Sequence, residues 1–209
     1  RSPFRTHTSP SPLKERGNEG VRLINTLIIG GGRSGKSHFA QELALKLGGP
    51  VLFVATATAG DEEMRQRIEA HQKARPADWK TIEVTKHVGS QIIQKLSEAQ
   101  IVIVDCITLL VNNIFPQYND RASERIDASL IEKELMAEIN ELVGCINQVN
   151  AIFIIVTNEV GLGLVPANRL GRLYRDLLGR ANQMLAQQAD EIYLMVAGIA
   201  VMIKPVRHC

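Results

Sequence analysis

The residues with the plainest chemical use form one short run: Gly30, Gly31, Gly32, Arg33, Ser34, Gly35, Lys36 and Ser37, which fit the spacing G-x-x-x-x-G-K-[ST]. Glycines let a backbone close on phosphate oxygens without side chains intervening, and the loop N–H groups add to the positive end of the helix that follows. Lys36 is placed to reach terminal phosphates, and Ser37 offers a hydroxyl to Mg²⁺. Asp105, the single acid in "QIVIVDC", ends an apolar run and suits a second contact to that Mg²⁺, through water. A solvated aspartate at a strand end is the plainer alternative. These residues predict nucleotide-phosphate chemistry without selecting among ATPases, kinases and GTPases.

A second group lies downstream. In "RIEAHQKARP", His71 sits at the end of a charged helical stretch among cations. It is either an exposed histidine with no duty or, as a neutral imidazole, a nucleophile toward phosphorus, with Lys73 or Arg75 neutralising the attacked group. Trp79 is core or a stacking face, and Glu83 is a surface acid or a ligand for a ribose hydroxyl. Further on, Asn158 and Glu159 leave an apolar run next to glycines, either entering a crevice or making a turn. Arg169, Arg172 and Arg175 recur every three residues, facing an anion or forming a solvated helix face paired with Asp176.

Elements that must position these residues follow from the apolar pattern. "LINTLIIGGG" reads as a strand entering a tight loop, and "SHFAQELALKL" as a helix with Phe39, Leu43, Ala44 and Leu47 on one stripe. Pro50–Ala57, Gln100–Cys106 and "NAIFIIVTNEVG" read as further buried strands, and "EIYLMVAGIAVMIK" as one or two more. Between them, "AGDEEMRQRIEAHQKA" reads as a helix with an acidic first turn. A long amphipathic helix carries Ile126, Leu130, Ile139, Leu142, Val143 and Ile146, and "NRLGRLYRDLLGRANQMLAQQA" forms another. Apolar strands alternating with helices imply an α/β fold, a mostly parallel sheet with helices on both faces. Ligands collect at the C-terminal strand ends of such sheets, where the glycine loop, Asp105 and "TNEVG" all fall.

The 209 residues, 45% of them hydrophobic, suit one catalytic domain over 23–209, with 1–22 a flexible leader or extension rich in Ser, Pro and charge. Net charge is +2, but residues 1–22 hold five basic and two acidic residues and so contribute +3, leaving the body at −1. A nearly neutral body gives no broad electrostatic reason to expect nucleic acid as a partner. Cys106, Cys145 and Cys209 lack metal or redox spacing and fit reduced thiols in the cytoplasm. No stretch approaches the roughly 18 apolar residues of a membrane span.

Together, "GGGRSGKS", "VATA", "DEEMRQRIEAHQKARPADWKTIE", "VDCITLLVNN" and "TNEVGLGLVPANRLGRLYRDLLGRANQMLAQQADEIYLMVAG" resemble, in that order, the adenosylcobinamide kinase/adenosylcobinamide-phosphate guanylyltransferase family, over about Leu23 to Lys204. The resemblance implies a RecA-like P-loop fold, a homotrimer, and two activities. An NTP (ATP or GTP) phosphorylates adenosylcobinamide; GMP from GTP is then transferred to the new phosphate through a guanylylated histidine, giving adenosylcobinamide-GDP. Carried over, Gly30 to Ser37 would hold nucleotide phosphates, Ala55, Thr56 and Ala57 would line the nucleotide site, and His71 would carry GMP. Gln72, Lys73, Ala74 and Glu83 would contact the guanine nucleotide, and Asp105 with Ser37 would serve Mg²⁺. A nucleotide-dependent switch and a monofunctional guanylyltransferase are the alternatives.

Overall fold

A computed structural model describes residues 23–57, 72, 75–115 and 127–206. The expected leader 1–22, most of the expected helix after Ala57, including His71, Lys73 and Ala74, and Ile126 lie outside the described residues.

Seven strands form one sheet: Thr26–Gly30 (β1), Val51–Ala55 (β2), Lys80–Glu83 (β3), Ile101–Asp105 (β4), Ile152–Asn158 (β5), Glu191–Val196 (β6) and Ile199–Lys204 (β7). Their order is β3-β2-β4-β5-β1-β6-β7, with β1 to β6 parallel and β7 antiparallel to β6. The described helices are Lys36–Leu47 (α1), Val88–Lys95 (α2), Ile107–Ile114 (α3), Ala128–Gln148 (α4) and Arg169–Gln188 (α5). None of the described helices is long and apolar enough to cross a membrane.

Because strand side chains alternate between faces, each central strand feeds two cores. Leu52, Val54, Val102, Val104, Phe153 and Ile155 join Ile131, Leu135 and Ile139 of α4 and Leu177 and Ala181 of α5. Val51, Phe53, Ile101, Ile103, Ile154 and Val156 join Ala40, Leu43 and Ala44 of α1, together with Trp79. Burial on both faces explains why β2, β4 and β5 read as continuous apolar runs. The C-terminal run resolves into two strands, split by a turn in which Ala197 has φ 51° and Gly198 φ 82°, the pattern of a two-residue hairpin.

Three short elements lay below the resolution of the sequence pattern: β3, α2 and α3. The stripe expected on the long helix also needs correction. Leu130 is 46% exposed, whereas Ile131 and Leu135 are fully buried alongside Ile139 and Leu142. The Asp127 carboxylate caps the helix by accepting the Leu130 N–H at 3.1 Å, which marks where α4 starts, while packing of Ile131, Leu135, Ile139 and Leu142 against the sheet sets the inner face.

The start of α2 is held from outside its own segment. His87, at φ 54°, precedes the helix and offers no side-chain cap. Instead Glu138 of α4 accepts the N–H of His87 at 2.8 Å and of Val88 at 2.7 Å, one on each carboxylate oxygen, and Glu141 accepts the Ser90 N–H at 2.8 Å. Glu138 is 6% exposed, so its loss would leave one buried and one partly buried donor unpaired. We expect Glu138→Ala to cost about 3 kcal/mol, seen as a fall in Tm of roughly 6–12 °C, with Glu138→Gln losing less. A change under about 2 °C in a thermal melt would refute this cap.

Candidate active site

The parallel register brings the strand ends to one rim. Glu83 pairs with Ala55, Ala55 with Asp105, and Gly30 with Asn158, while Asp105 stands beside Val156. Strand β5 lies between β1 and β4, so the glycine loop and Asp105 are separated by two strand spacings, roughly 10 Å. That gap is the size needed to seat a phosphate chain and a hydrated cation between them.

Gly30 must be glycine because an added Cβ would lie 2.5 Å from the Met195 carbonyl oxygen. Gly35 has φ 94°, a left-handed conformation costly for other residues, and an added Cβ would approach Gly198 Cα at 3.3 Å. The hairpin at Gly198 therefore forms a floor under the loop, joined to it by the Gly198 N–H donating to the Ser34 carbonyl at 3.0 Å. By contrast, Gly31 and Gly32 are exposed, and a Cβ on either would meet nothing within 4 Å. Their backbone is open to a ligand. Lys36 is buried, and its ammonium donates to the Gly31 carbonyl at 2.6 Å. Arg33 is exposed on the loop at φ 58°. Ser37 follows in the first turn of α1.

Arg75 supplies a further cation. Its guanidinium carbon lies 3.7 Å from the centroid of the Phe53 ring, which stacks in turn on Trp79 at 6.5 Å. Trp79 is thus core. Burial lowers the pKa of Arg75, while the charges of Asp105 and Glu83 oppose that shift. Its Nε and Nη1 are buried and have no hydrogen-bond partner among the described residues. Arg75 is thus a half-buried cation whose charge is held by the neighbouring Asp105 and Glu83 and by the Phe53 ring. Gln72 reaches the same place, its amide donating to Glu83 Oε1 at 3.0 Å.

Behind the rim, polar side chains fix the backbone. Thr56 is fully buried, and its hydroxyl accepts the Cys106 N–H at 2.8 Å and donates to the Cys106 carbonyl at 2.6 Å. The Thr56 side chain braces the Asp105–Cys106 corner rather than lining a pocket. Burial, then the neighbouring Asp105 charge, pushes the Cys106 thiol up to about 12, so at neutral pH it is protonated and no nucleophile. Lys36 pulls the other way, which places its charge near this corner. In "GRANQ", Asn182 is buried and accepts the Thr157 hydroxyl at 2.8 Å while its amide donates to the Asn158 carbonyl at 3.0 Å. The Asn158 N–H donates to the Thr108 hydroxyl at 2.8 Å. These contacts hold the end of β5 in the rim.

Of the residues expected at the site, Gly30 to Ser37, Ala55, Thr56, Ala57, Gln72, Glu83 and Asp105 occupy this rim or its support; His71, Lys73 and Ala74 lie outside the described residues. The basic line on α5 divides. Arg172 donates to the carbonyls of Pro166 and Ala167, at 3.0 and 2.6 Å, and Arg175 pairs with Asp176 at 3.5 Å. Arg75 was legible only as one of two candidate cations, since nothing local in sequence announces its stack on Phe53.

The donor set also fits Mg²⁺ by its chemistry: a hydroxyl and a carboxylate are hard oxygen ligands, and phosphate oxygens with water would complete the sphere.

A profile of the family described as cobinamide kinase / cobinamide phosphate guanyltransferase matches residues 26–203, from the first residue of β1 into β7. The chain belongs to this family. Among cobinamide kinase / cobinamide phosphate guanyltransferase relatives, the bifunctional adenosylcobalamin biosynthesis protein CobU of Escherichia coli K12 is 40% identical over 179 residues, covering 85% of this chain and 98% of that protein. The CobU of Salmonella typhimurium is 41% identical with the same coverage. The bifunctional protein CobP of Pseudomonas aeruginosa is 36% identical over 185 residues, covering 87% and 98%. A solved structure from Pyrococcus horikoshii OT3 shares the fold, with TM-score 0.52, 10% identity and 89% of each chain covered. The expected family, the mostly parallel α/β fold and an enzyme with kinase and transferase character are borne out. Membership of this family displaces the nucleotide switch.

Proposed function

We propose that this chain performs both reactions of its family at one rim, phosphorylating adenosylcobinamide and then transferring GMP from GTP onto the phosphate through His71, as a cytoplasmic homotrimer. The observation that carries this reading is the presence of two cations at one rim: Lys36 in the glycine loop, and Arg75, whose Nε and Nη1 have no hydrogen-bond partner among the described residues and whose charge is favoured by Asp105 and Glu83.

In the first reaction, the loop N–H groups of Gly31 to Ser37 and the start of α1 bind the phosphate chain, and Lys36 neutralises charge on the transferred phosphoryl. Ser37 and Asp105 would hold Mg²⁺, which when bound would neutralise phosphate oxygens. The acceptor hydroxyl attacks the terminal phosphorus and the nucleoside diphosphate leaves. In the second, the imidazole of His71 attacks the α-phosphorus of GTP and releases pyrophosphate; an oxygen of cobinamide phosphate then displaces the histidine. Arg75, close in sequence to His71, brings a positive charge to the side of the rim where charge develops on the α-phosphate. Glu83, exposed and already taking a hydrogen bond from Gln72, is an acceptor for guanine or ribose donors.

Two further observations support the setting. Cys106 and Cys145 are buried free thiols, in keeping with a reducing compartment. On the outer face of the β6–β7 hairpin, Val196, Ile199, Val201 and Ile203 are 47–64% exposed, an apolar stripe along a sheet edge of the kind that packs against another copy. Sedimentation at three times the 23.1 kDa chain mass would agree with the trimer; a monomer would reject it.

The decisive assay supplies adenosylcobinamide and Mg²⁺ with GTP labelled at either phosphate. Label from the γ-position should appear in cobinamide phosphate, and label from the α-position in the final GDP-linked product. Free phosphate as the sole labelled product would overturn the reading.

A further inference from the structure

The segment that leaves β5, residues 160–168, carries the most exposed large apolar side chains among the described residues. Leu164 is 96% exposed, Leu162 84% and Val165 65%. The backbone beneath them is braced at both ends. Glu159 donates its N–H to the Gly30 carbonyl at 3.0 Å and its carboxylate accepts the Gly161 N–H. At the other end Arg172 clasps the Pro166 and Ala167 carbonyls, and the Asn168 side chain caps α5 by accepting the Gly171 N–H at 2.6 Å. Apolar side chains are thus held out into water by a fixed scaffold, at a cost that a folding requirement does not explain.

The position of this loop narrows what it meets. It follows Glu159, which is hydrogen-bonded to the first glycine of the phosphate loop and comes directly after β5, the strand between β1 and β4. Whatever docks on Leu162, Leu164 and Val165 therefore arrives at the rim that carries the phosphate loop. A nucleotide itself is mostly charged and hydrogen-bonding, a poor match for three aliphatic side chains. The other reactant of the family's chemistry is cobinamide, a macrocycle whose faces bear methyl and methylene groups and whose rim bears amides. Charge supports the same occupant. The first turn of α5 holds Arg169 and Arg172 and no acid, against the preference for anionic side chains at a helix start. Arg172 is engaged with the loop, whereas Arg169 is exposed and has no hydrogen-bond or ion-pair partner among the described residues. It is a cation available to the phosphate that the acceptor carries into the second reaction.

We propose that Leu162, Leu164 and Val165, bordered by Arg169, form the docking surface for the corrinoid ring of the acceptor. This inference rests on the activity proposed above.

The test is the double variant Leu162→Ser/Leu164→Ser in the full chain, assayed for phosphorylation of adenosylcobinamide and for its binding by equilibrium dialysis. Its KM and Kd for adenosylcobinamide should rise at least about tenfold, the loss of two apolar contacts, with KM for GTP and solution mass unchanged. Leu164→Met, which keeps the apolar area, should stay near wild type. Both side chains are exposed, so the melting temperature should hold, which separates lost docking from lost fold. Unchanged corrinoid KM and Kd in the double variant overturn the docking surface and leave the activity standing. A fall in solution mass, with corrinoid binding restored at high protein concentration, assigns the loop to a second copy instead and also overturns it. Wild-type protein that neither binds nor phosphorylates adenosylcobinamide overturns the activity and this inference together.

Discussion

Lys36→Ala should lower the rate of phosphorylation of adenosylcobinamide by about 10²–10³-fold, the usual worth of one preorganised electrostatic contact in a transition state. Phosphoryl transfer asks the protein for little beyond position and charge. The Lys36 ammonium is buried, is 2.6 Å from the Gly31 carbonyl, and its charge reaches the Asp105–Cys106 corner. No other lysine lies within the loop sequence. Lys36→Arg should not rescue it, because a planar guanidinium does not fit the space closed by Ser34 and Gly31. The measurement is transfer of γ-label from GTP to adenosylcobinamide under saturating substrate. A rate within about threefold of wild type would remove the loop from the kinase reaction.

His71→Ala should leave no nucleotide on the protein after incubation with α-labelled GTP and Mg²⁺, while γ-phosphoryl transfer persists. The native protein should retain an acid-labile, base-stable label, as a phosphoramidate on histidine does. The expectation comes from chemistry and chain position. A neutral imidazole is a competent nucleophile, and its chain neighbours Gln72 and Arg75 reach the rim, one hydrogen-bonded to Glu83 and the other facing Asp105 and Glu83. Label that survives the substitution, or native protein that never labels, would defeat the covalent route. Because the two substitutions strike different reactions, their effects should separate: Lys36→Ala loses the first product and with it the second, whereas His71→Ala loses the second alone.

Much of the sheet could be read from sequence because β2, β4 and β5 are buried on both faces and so appear as unbroken apolar runs. The glycine loop was equally plain, since its spacing is tied to a strand before and a helix after. What escaped depends on contacts between distant segments. Strand β3 is four residues long and mostly exposed at the sheet edge, so it has no apolar pattern to show. Helix α2 has no cap of its own and borrows Glu138, about 50 residues away. On α4 the apolar residues wrap far enough round the helix that Leu130 and Ile131 compete for the inner face, and packing in line with Leu135, Ile139 and Leu142 settles it for Ile131. At the site, Thr56 stands beside Ala55 and Ala57 in sequence, yet its hydroxyl is spent on the Cys106 backbone. The orphaned donors of Arg75 depend on Phe53, more than 20 residues earlier in the chain.

The floor that Gly198 lays under the phosphate loop ties two ends of the molecule into one thermodynamic unit. The same hairpin shows its outer apolar stripe to solvent and gives its turn N–H to Ser34. A second copy that packs on the stripe and steadies the hairpin thereby steadies the loop, and binding free energies are reciprocal. GTP should then tighten self-association by the same factor by which self-association tightens GTP, so that dilution weakens nucleotide binding without any residue of the loop being changed.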